Sequence, residues 1–295
     1  MAGHDDIRIG TLVHAGGAAE TIRAIAPYGF ESFQLTFGHR IETVELGRLA
    51  GDVQDALAAA AGNPRISALG IYGNPLVDEQ AVADWSQLID VAEQFGCDIV
   101  SGFAGRLTDQ PVPNSIPRFF EIFEPLSKQA EDHGVRLAFE NCDMGGDWQR
   151  GDWNIAHAPA AWEMIFDAVT SDAVGLEWEP CHQMVSLADP LPQLRAWIGK
   201  IFHVHGKDAT VMWDVIRAQG IRGSAGYVHH RTPGFGDTNW TDVISALRRG
   251  GFHGAIDIEG WHDPVYRDEL EMTGQVHALN YLKQCRGGAF TPNPA

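Results

Sequence analysis

Four stretches decide the fold: LAFE at 137–140, GLEWE at 175–179, IFHVH at 201–205 and AIDIE at 255–259. Each is a short apolar run that ends on a residue able to ligate a metal. Glu140, Glu179, His205 and Glu259 therefore fall at the exits of four successive expected strands. Side chains alternate along a strand, so Glu177 shares a face with Glu179, His203 with His205, and Asp257 with Glu259. Carboxylates taken out of water in such numbers need a cation or several donors. Three carboxylates and one imidazole suit a hard divalent ion better than a structural zinc, which prefers thiolate and imidazole. Mn2+ is the expected ion, with Mg2+ and Co2+ as alternatives. Glu177, His203 and Asp257 are expected to orient the ligands by hydrogen bonds.

Working outward, further apolar runs bounded by Gly, Pro, Asn or Asp occur at 7–14, 30–37, 66–73 and 98–104. The first four stretches widen to 135–142, 174–180, 201–206 and 254–261. Segments with helical spacing lie between them, at 43–61, 82–96, 115–134, 159–169, 191–199, 240–251 and 265–284. Gly96, Gly134 and Gly251 stand where left-handed caps would end three of these. The alternation predicts an α/β chain folded as a (β/α)8 TIM barrel. We expect one domain over 1–295, with its core at about 7–284 and a flexible tail at 286–295. The reactive site of such a barrel lies at the C-terminal strand ends, where all four ligand candidates fall. A doubly wound sheet would want GxGxxG after the first strand, and LVHAGGAA stands at 12–19 instead.

Composition narrows the function classes. Hydrophobic residues make up 44% and charged residues 20%, the balance of an ordinary globular protein rather than a disordered or fibrous one. Lys and Arg total 21 against 39 Asp and Glu, a formal charge of −18 that repels polyanions and argues against nucleic acid as a partner. No apolar run approaches the roughly 18 residues of a membrane span. MAGHDDIRIG carries acids where a secretory signal carries bases, which predicts a cytoplasmic protein. Cys97, Cys142, Cys181 and Cys285 include no CxxC pair and read as reduced thiols.

Several other side chains are candidates for the site. Residues 209–239 join the seventh strand to its helix, far more than the usual connection of about 2 to 6 residues, which suggests a lid or a substrate wall. His229, His230 and Arg231 in that loop are candidates for binding a polar substrate. Lys207 is placed either to steady an anionic intermediate or to pair with Asp208 or another neighbouring acid. His182 follows Glu179 by three residues; Pro180 inside that motif argues against a helical metal pair. His14 and Phe37 end the first two strands and are candidates for the pocket floor. Of the tryptophans near strand exits, Trp148, Trp153, Trp178, Trp213 and Trp261, the last has the parity of Glu259 and is the one expected to stack on a sugar face. Trp178, of opposite parity to Glu179, is expected to pack against helices.

FENCDM (139–144), NIAHAPAAWEMIFDAV (154–169), GLEWEPCHQM (175–184), IFHVHGKDA (201–209) and the segment 233–260 together resemble the xylose isomerase-like TIM-barrel family, the sugar isomerases and epimerases of the AP endonuclease 2-like superfamily. The likeness is dense from about 135 to 262. It implies one metal ligand from each of the last four barrel strands, matching Glu140, Glu179, His205 and Glu259. It also implies that Glu140 and Glu259 act as paired acid and base and that His182 contacts substrate. Two departures stand out. Glu179 replaces the family's usual Asp, and EGWH at 259–262 replaces a Glu-His-Glu-Asp ending.

The implied activity is that of a divalent-metal-dependent sugar or keto-sugar isomerase or epimerase. A proton would be abstracted next to a carbonyl through a metal-stabilised enediolate. The alternative is a lyase on 3-keto-glycosides, C-glycosides included, which eliminates the aglycone after the same abstraction. The implied partners are a small sugar or keto-glycoside and either a second copy of the chain or a small partner subunit. A DNA-repair endonuclease of this fold asks for further His and Asp ligands on earlier strands, and FQLTFG (33–38), ISALGIYG (66–73) and IVSGFAG (99–105) offer none.

Overall fold

The computed structural model describes residues 4, 6–41 and 45–294. Eight parallel strands form the barrel sheet: β1 (Ile7–His14), β2 (Ser32–Thr36), β3 (Arg65–Ile71), β4 (Ile99–Gly102), β5 (Arg136–Glu140), β6 (Val174–Trp178), β7 (Ile201–Gly206) and β10 (Gly254–Ile258). Their order closes as β1-β10-β7-β6-β5-β4-β3-β2, the expected (β/α)8 arrangement. A separate two-stranded antiparallel sheet is formed by β8 (Asp208–Val211) and β9 (Val228–Arg231). The helices are α1 (Ala18–Ile25), α2 (Leu46–Ala59), α3 (Glu79–Val91), α4 (Val112–His133), α5 (Pro159–Ala168), α6 (Pro180–Val185), α7 (Pro190–Trp197), α8 (Trp213–Gln219), α9 (Trp240–Arg249) and α10 (Glu271–Cys285).

Three local features depart from the sequence reading. α1 occupies a stretch where no helix is expected; its apolar stripe is only two turns long, with Ala18, Ala19, Ile22 and Ile25 buried. The long connection after β7 is not an open loop, because β8 and β9 pair across it and α8 lies between them in sequence. Pro180 opens α6 rather than preventing a helix there. At the first helical position proline's missing N–H would have no partner anyway and its fixed φ suits the helix.

Contacts gather the described residues into two compact units. The first comprises those up to Thr11, Glu179–Gly199 and those from His205 on; the second comprises those within Leu12–Trp178 together with Lys200–Val204. In the second unit, Phe139 of β5 meets Phe123 of α4 edge-on at 4.8 Å, and Trp85 of α3 meets Phe123 at 5.4 Å. These aromatics are fully buried and supply large apolar area to the core. Because Phe139 points at α4, strand alternation turns Glu140 to the opposite face of β5. Gly134 ends α4 with φ of 65°, a left-handed turn in which glycine carries no Cβ penalty.

In the first unit β1 and β10 run side by side, with Ile9 opposite Ile256 and Thr11 opposite Ile258. The N–H of Glu259 donates to Gly206 O at 3.2 Å, so the exits of β7 and β10 are adjacent. Asp208, fully buried, anchors the chain as it leaves β7. Its Oδ1 accepts from the N–H groups of Ala209 (2.7 Å) and Thr238 (3.0 Å), and its Oδ2 accepts from Trp240 Nε1 (3.0 Å). That one carboxylate ties the start of β8 to the start of α9.

Candidate functional site

The site is built on strand exits of the first unit. Glu179 leaves β6 in extended conformation, with φ of −143° and ψ of 147°, and is the N-cap residue of α6. One helical turn later His182 returns to it, its Nε2 lying 2.7 Å from Glu179 Oε1. The helix is anchored by Cys181 and Met184, which pack with Ala209, Val211 and Val228 of the β8–β9 sheet. His205 comes from β7, Lys207 from the single residue between β7 and β8, and Glu259 from the residue after β10. All five side chains are buried.

Positive charge and hydrogen bonds converge on the two carboxylates. Lys207 Nζ donates to Glu259 Oε1 at 2.9 Å, lies 3.9 Å from Glu179 Oε1, and is 3.4 Å from His182 Nε2. His205 Nδ1 is 3.3 Å from Glu259 Oε2, and His262 Nε2 is 3.0 Å from Glu259 Oε1. Burial alone would raise both carboxyl pKa values. For Glu179 the charges of His182 and Lys207 outweigh it and hold the group below the usual carboxylate range. For Glu259 burial is outweighed by Lys207 and by hydrogen bonds from His205 and His262, and the group sits well below that range. Both are ionised at neutral pH. Burial, followed by the neighbouring Glu179 charge, pushes the Cys181 thiol well up, so that cysteine is an inert neutral packing group. Burial and then Lys207 bring His230 down to about 4, leaving a neutral imidazole. Its ring sits edge-on to His182 at 5.4 Å and to His262 at 5.9 Å.

Glu179, His205 and Glu259 each offer one donor atom, and these atoms lie within 4.8 Å of one another. Two buried carboxylates and an imidazole at that spacing fit a divalent cation by donor chemistry.

The other expected site residues differ in burial and in partners. Glu140 is buried at the end of β5, in the second unit, with its carbonyl accepting from Asn154 Nδ2 at 2.8 Å. His14 is exposed at the end of β1. On β9 His229 is exposed, and alternation puts it on the opposite face from His230. Arg231 is tied to Asp263 at 3.0 Å and lies over the Phe235 ring. Trp261 is half-buried, tilted against His262 with ring centroids 5.5 Å apart. Lys207 pairs with neighbouring acids, Glu259 and Glu179, rather than with Asp208, which is taken up by Ala209, Thr238 and Trp240.

Glu177 and His203 occupy a buried polar layer in the second unit. Glu177 accepts from Gln34 Nε2 (2.7 Å) and the Tyr72 hydroxyl (2.9 Å), and His203 Nδ1 lies 3.0 Å from it. Sequence reasoning does not find Gln34 or Tyr72. It also misses His262, although the Glu-x-x-His spacing of 179–182 recurs at 259–262 and could have marked it.

Residues 22–285 match the family model described as xylose isomerase-like TIM barrel. The chain belongs to that family. An inosose dehydratase of Lactiplantibacillus plantarum is 32% identical over 114 residues, which is 38% of this chain and 37% of that protein. The chain thus matches well under half the length of that relative. Among solved structures, a xylose isomerase domain protein from Planctomyces limnophilus aligns with a TM-score of 0.70 at 14% identity, over 95% of this chain and 98% of that one. The 3-keto-D-glucoside 4-epimerase YcjR of E. coli aligns with a TM-score of 0.70 at 15% identity, over 95% of this chain and 100% of that one. At such identities the likeness is one of fold. Among the described residues no helix is long and apolar enough to cross a membrane.

Proposed function

We propose that the protein is a divalent-metal-dependent enzyme that removes the proton beside the carbonyl of a keto-sugar or keto-polyol and returns it, as an isomerase or epimerase. The observation that carries this reading is the buried set Glu179, His205 and Glu259, whose donor atoms lie within 4.8 Å of one another. Glu140, buried on the face of β5 turned away from α4, is the fourth ligand in this reading, as the family resemblance implies. A divalent ion held there would chelate adjacent carbonyl and hydroxyl oxygens and acidify the C–H between them. Mn2+ is the ion we favour, from the hard oxygen donors.

The chain's own groups would do the rest. Glu259 and Glu140 are the proton-transfer pair, and Glu259, ionised at neutral pH, can accept a proton without first losing one. Lys207 and His182, beside the carboxylates, would counter negative charge developing on the substrate oxygens. His230, Arg231 and Trp261, with His14 and His229, are the substrate-binding candidates. The neutral imidazole of His230 suits hydroxyl groups.

A second reading is favoured by the activity of the Lactiplantibacillus relative, a dehydratase. The same abstraction followed by loss of a β-substituent would give a lyase. Its leaving group would be water, or an aglycone from a 3-keto-glycoside, with or without a partner subunit.

The test is incubation of manganese-loaded protein in D2O with a panel of ketoses, an inosose, 3-keto-glucose and aryl 3-keto-glucosides. Deuterium entering the carbon skeleton without loss of water or aglycone supports the isomerase or epimerase. Release of either supports the lyase. No exchange with any member of the panel, while bound manganese is demonstrable, overturns both.

A further inference from the structure

The spacing Glu-x-x-His occurs twice at this site, on two unrelated pieces of backbone. Glu179 and His182 are joined by the first turn of α6, whereas Glu259 and His262 are joined by a turn after β10 in which Asp263 N–H donates to Gly260 O at 3.1 Å. The outcome is nonetheless the same: each histidine brings Nε2 to Oε1 of the glutamate three residues before it, at 2.7 Å for His182 and 3.0 Å for His262. His230 stands edge-on to both rings.

The turn that carries His262 is held firmly. Asp263, next in the chain, accepts from Val265 N–H (2.8 Å) and Tyr266 N–H (2.9 Å) through Oδ1, and from Arg231 Nε (3.0 Å) and Thr232 N–H (2.9 Å) through Oδ2. A histidine merely solvated at a loop tip would need no such scaffold. The oxygens of Glu259 are also sorted by partner. Oε1 meets Lys207 and His262, and Oε2 lies on the side of His205.

We propose that His262 is a positioning residue for Glu259, the counterpart of His182 for Glu179. It occupies Oε1 together with Lys207 and so leaves Oε2, the oxygen beside His205, for a bound divalent ion. The proposal rests on the reading of this site as a metal centre. Partners that orient a ligating group in this way contribute substantially to affinity because they remove its freedom to swing or to switch coordinating atoms.

The experiment is calorimetric titration of metal-stripped full-length protein with MnCl2, for the wild type, His262→Leu and His262→Gln, with His253→Leu at an exposed position as the control. Loss of the donor in His262→Leu is expected to weaken Mn2+ binding by about 10- to 100-fold. His262→Gln, which keeps an N–H donor, is expected to recover most of that loss, and the control to match the wild type. The His262 side chain is 44% exposed, so the metal-free unfolding midpoint is expected to stay unchanged in both variants. If the wild type binds Mn2+ and His262→Leu binds it equally well, or His262→Gln recovers nothing, the positioning role is overturned and the metal reading stands. If the wild type takes up no Mn2+, both fall together.

Discussion

Two buried glutamates, two residues apart in sequence, live in different chemical surroundings. Glu177 is served by directional donors, Gln34 Nε2 at 2.7 Å and the Tyr72 hydroxyl at 2.9 Å, with His203 Nδ1 at 3.0 Å. Gln34 Nε2 also lies 3.0 Å from Ser101 Oγ, so the layer draws on four strands, β2, β4, β6 and β7. Around Glu179 and Glu259 one ammonium and three imidazoles are drawn onto two carboxylates. A carboxylate satisfied by several fitted directional donors is a structural strut. Two buried carboxylates and an imidazole whose donor atoms lie within 4.8 Å of one another fit a cation by their chemistry. The contrast teaches that burial of an acid says little by itself; the kind of partner decides its role.

That contrast can be broken from either side. The largest expected effect is in Glu259→Gln, which should keep its fold and lose at least about 100-fold in turnover of whichever substrate the D2O panel identifies. Near-normal turnover would remove Glu259 from proton transfer. Glu177→Leu should act the other way, leaving Gln34 Nε2, Tyr72 OH and His203 without their shared acceptor. A loss of about 3 kcal/mol in urea unfolding is expected. A variant as stable as the wild type would show that the layer is not a strut.

Smaller effects sharpen the comparison within the first unit. Asp208→Ala strands the Trp240 indole N–H and the Thr238 N–H, and about 2 kcal/mol should be lost in the same measurement. The smallest concerns pH. Burial acts to raise the Asp263 pKa, but the N–H groups of Tyr266, Thr232 and Val265 and the Arg231 side chain outweigh it and hold the pKa below 3.8. Its stabilising contribution is therefore complete above about pH 3.8 and fades as pH falls from there through the lowered folded value. Thermal unfolding of the wild type should fall more steeply below pH 4 than that of Asp263→Asn. Parallel curves would remove Asp263 from the acid transition.

The barrel was legible because each strand is an apolar run closed by a turn former, and the ligand candidates because a Glu or His interrupts those runs at one fixed place. The features that escaped did so for physical reasons. The strands β8 and β9 are four residues each, too short for alternation to register, and they pair across a chain excursion that includes α8. Pro180 reads as a helix breaker unless its position at the first turn is known. Gln34 and Tyr72 look like ordinary strand residues, because the acceptor that explains them is 143 and 105 residues further along the chain. His262 sits on a Gly-Trp turn whose geometry comes from Asp263 and residues of another strand.

The inert thiol beside Glu179 has a practical use. Cys97, Cys142 and Cys181 are all buried, whereas Cys285 on α10 is partly accessible. A maleimide dye should accordingly label the native protein at one end of its last helix, giving a fluorescent reporter that leaves the carboxylates untouched.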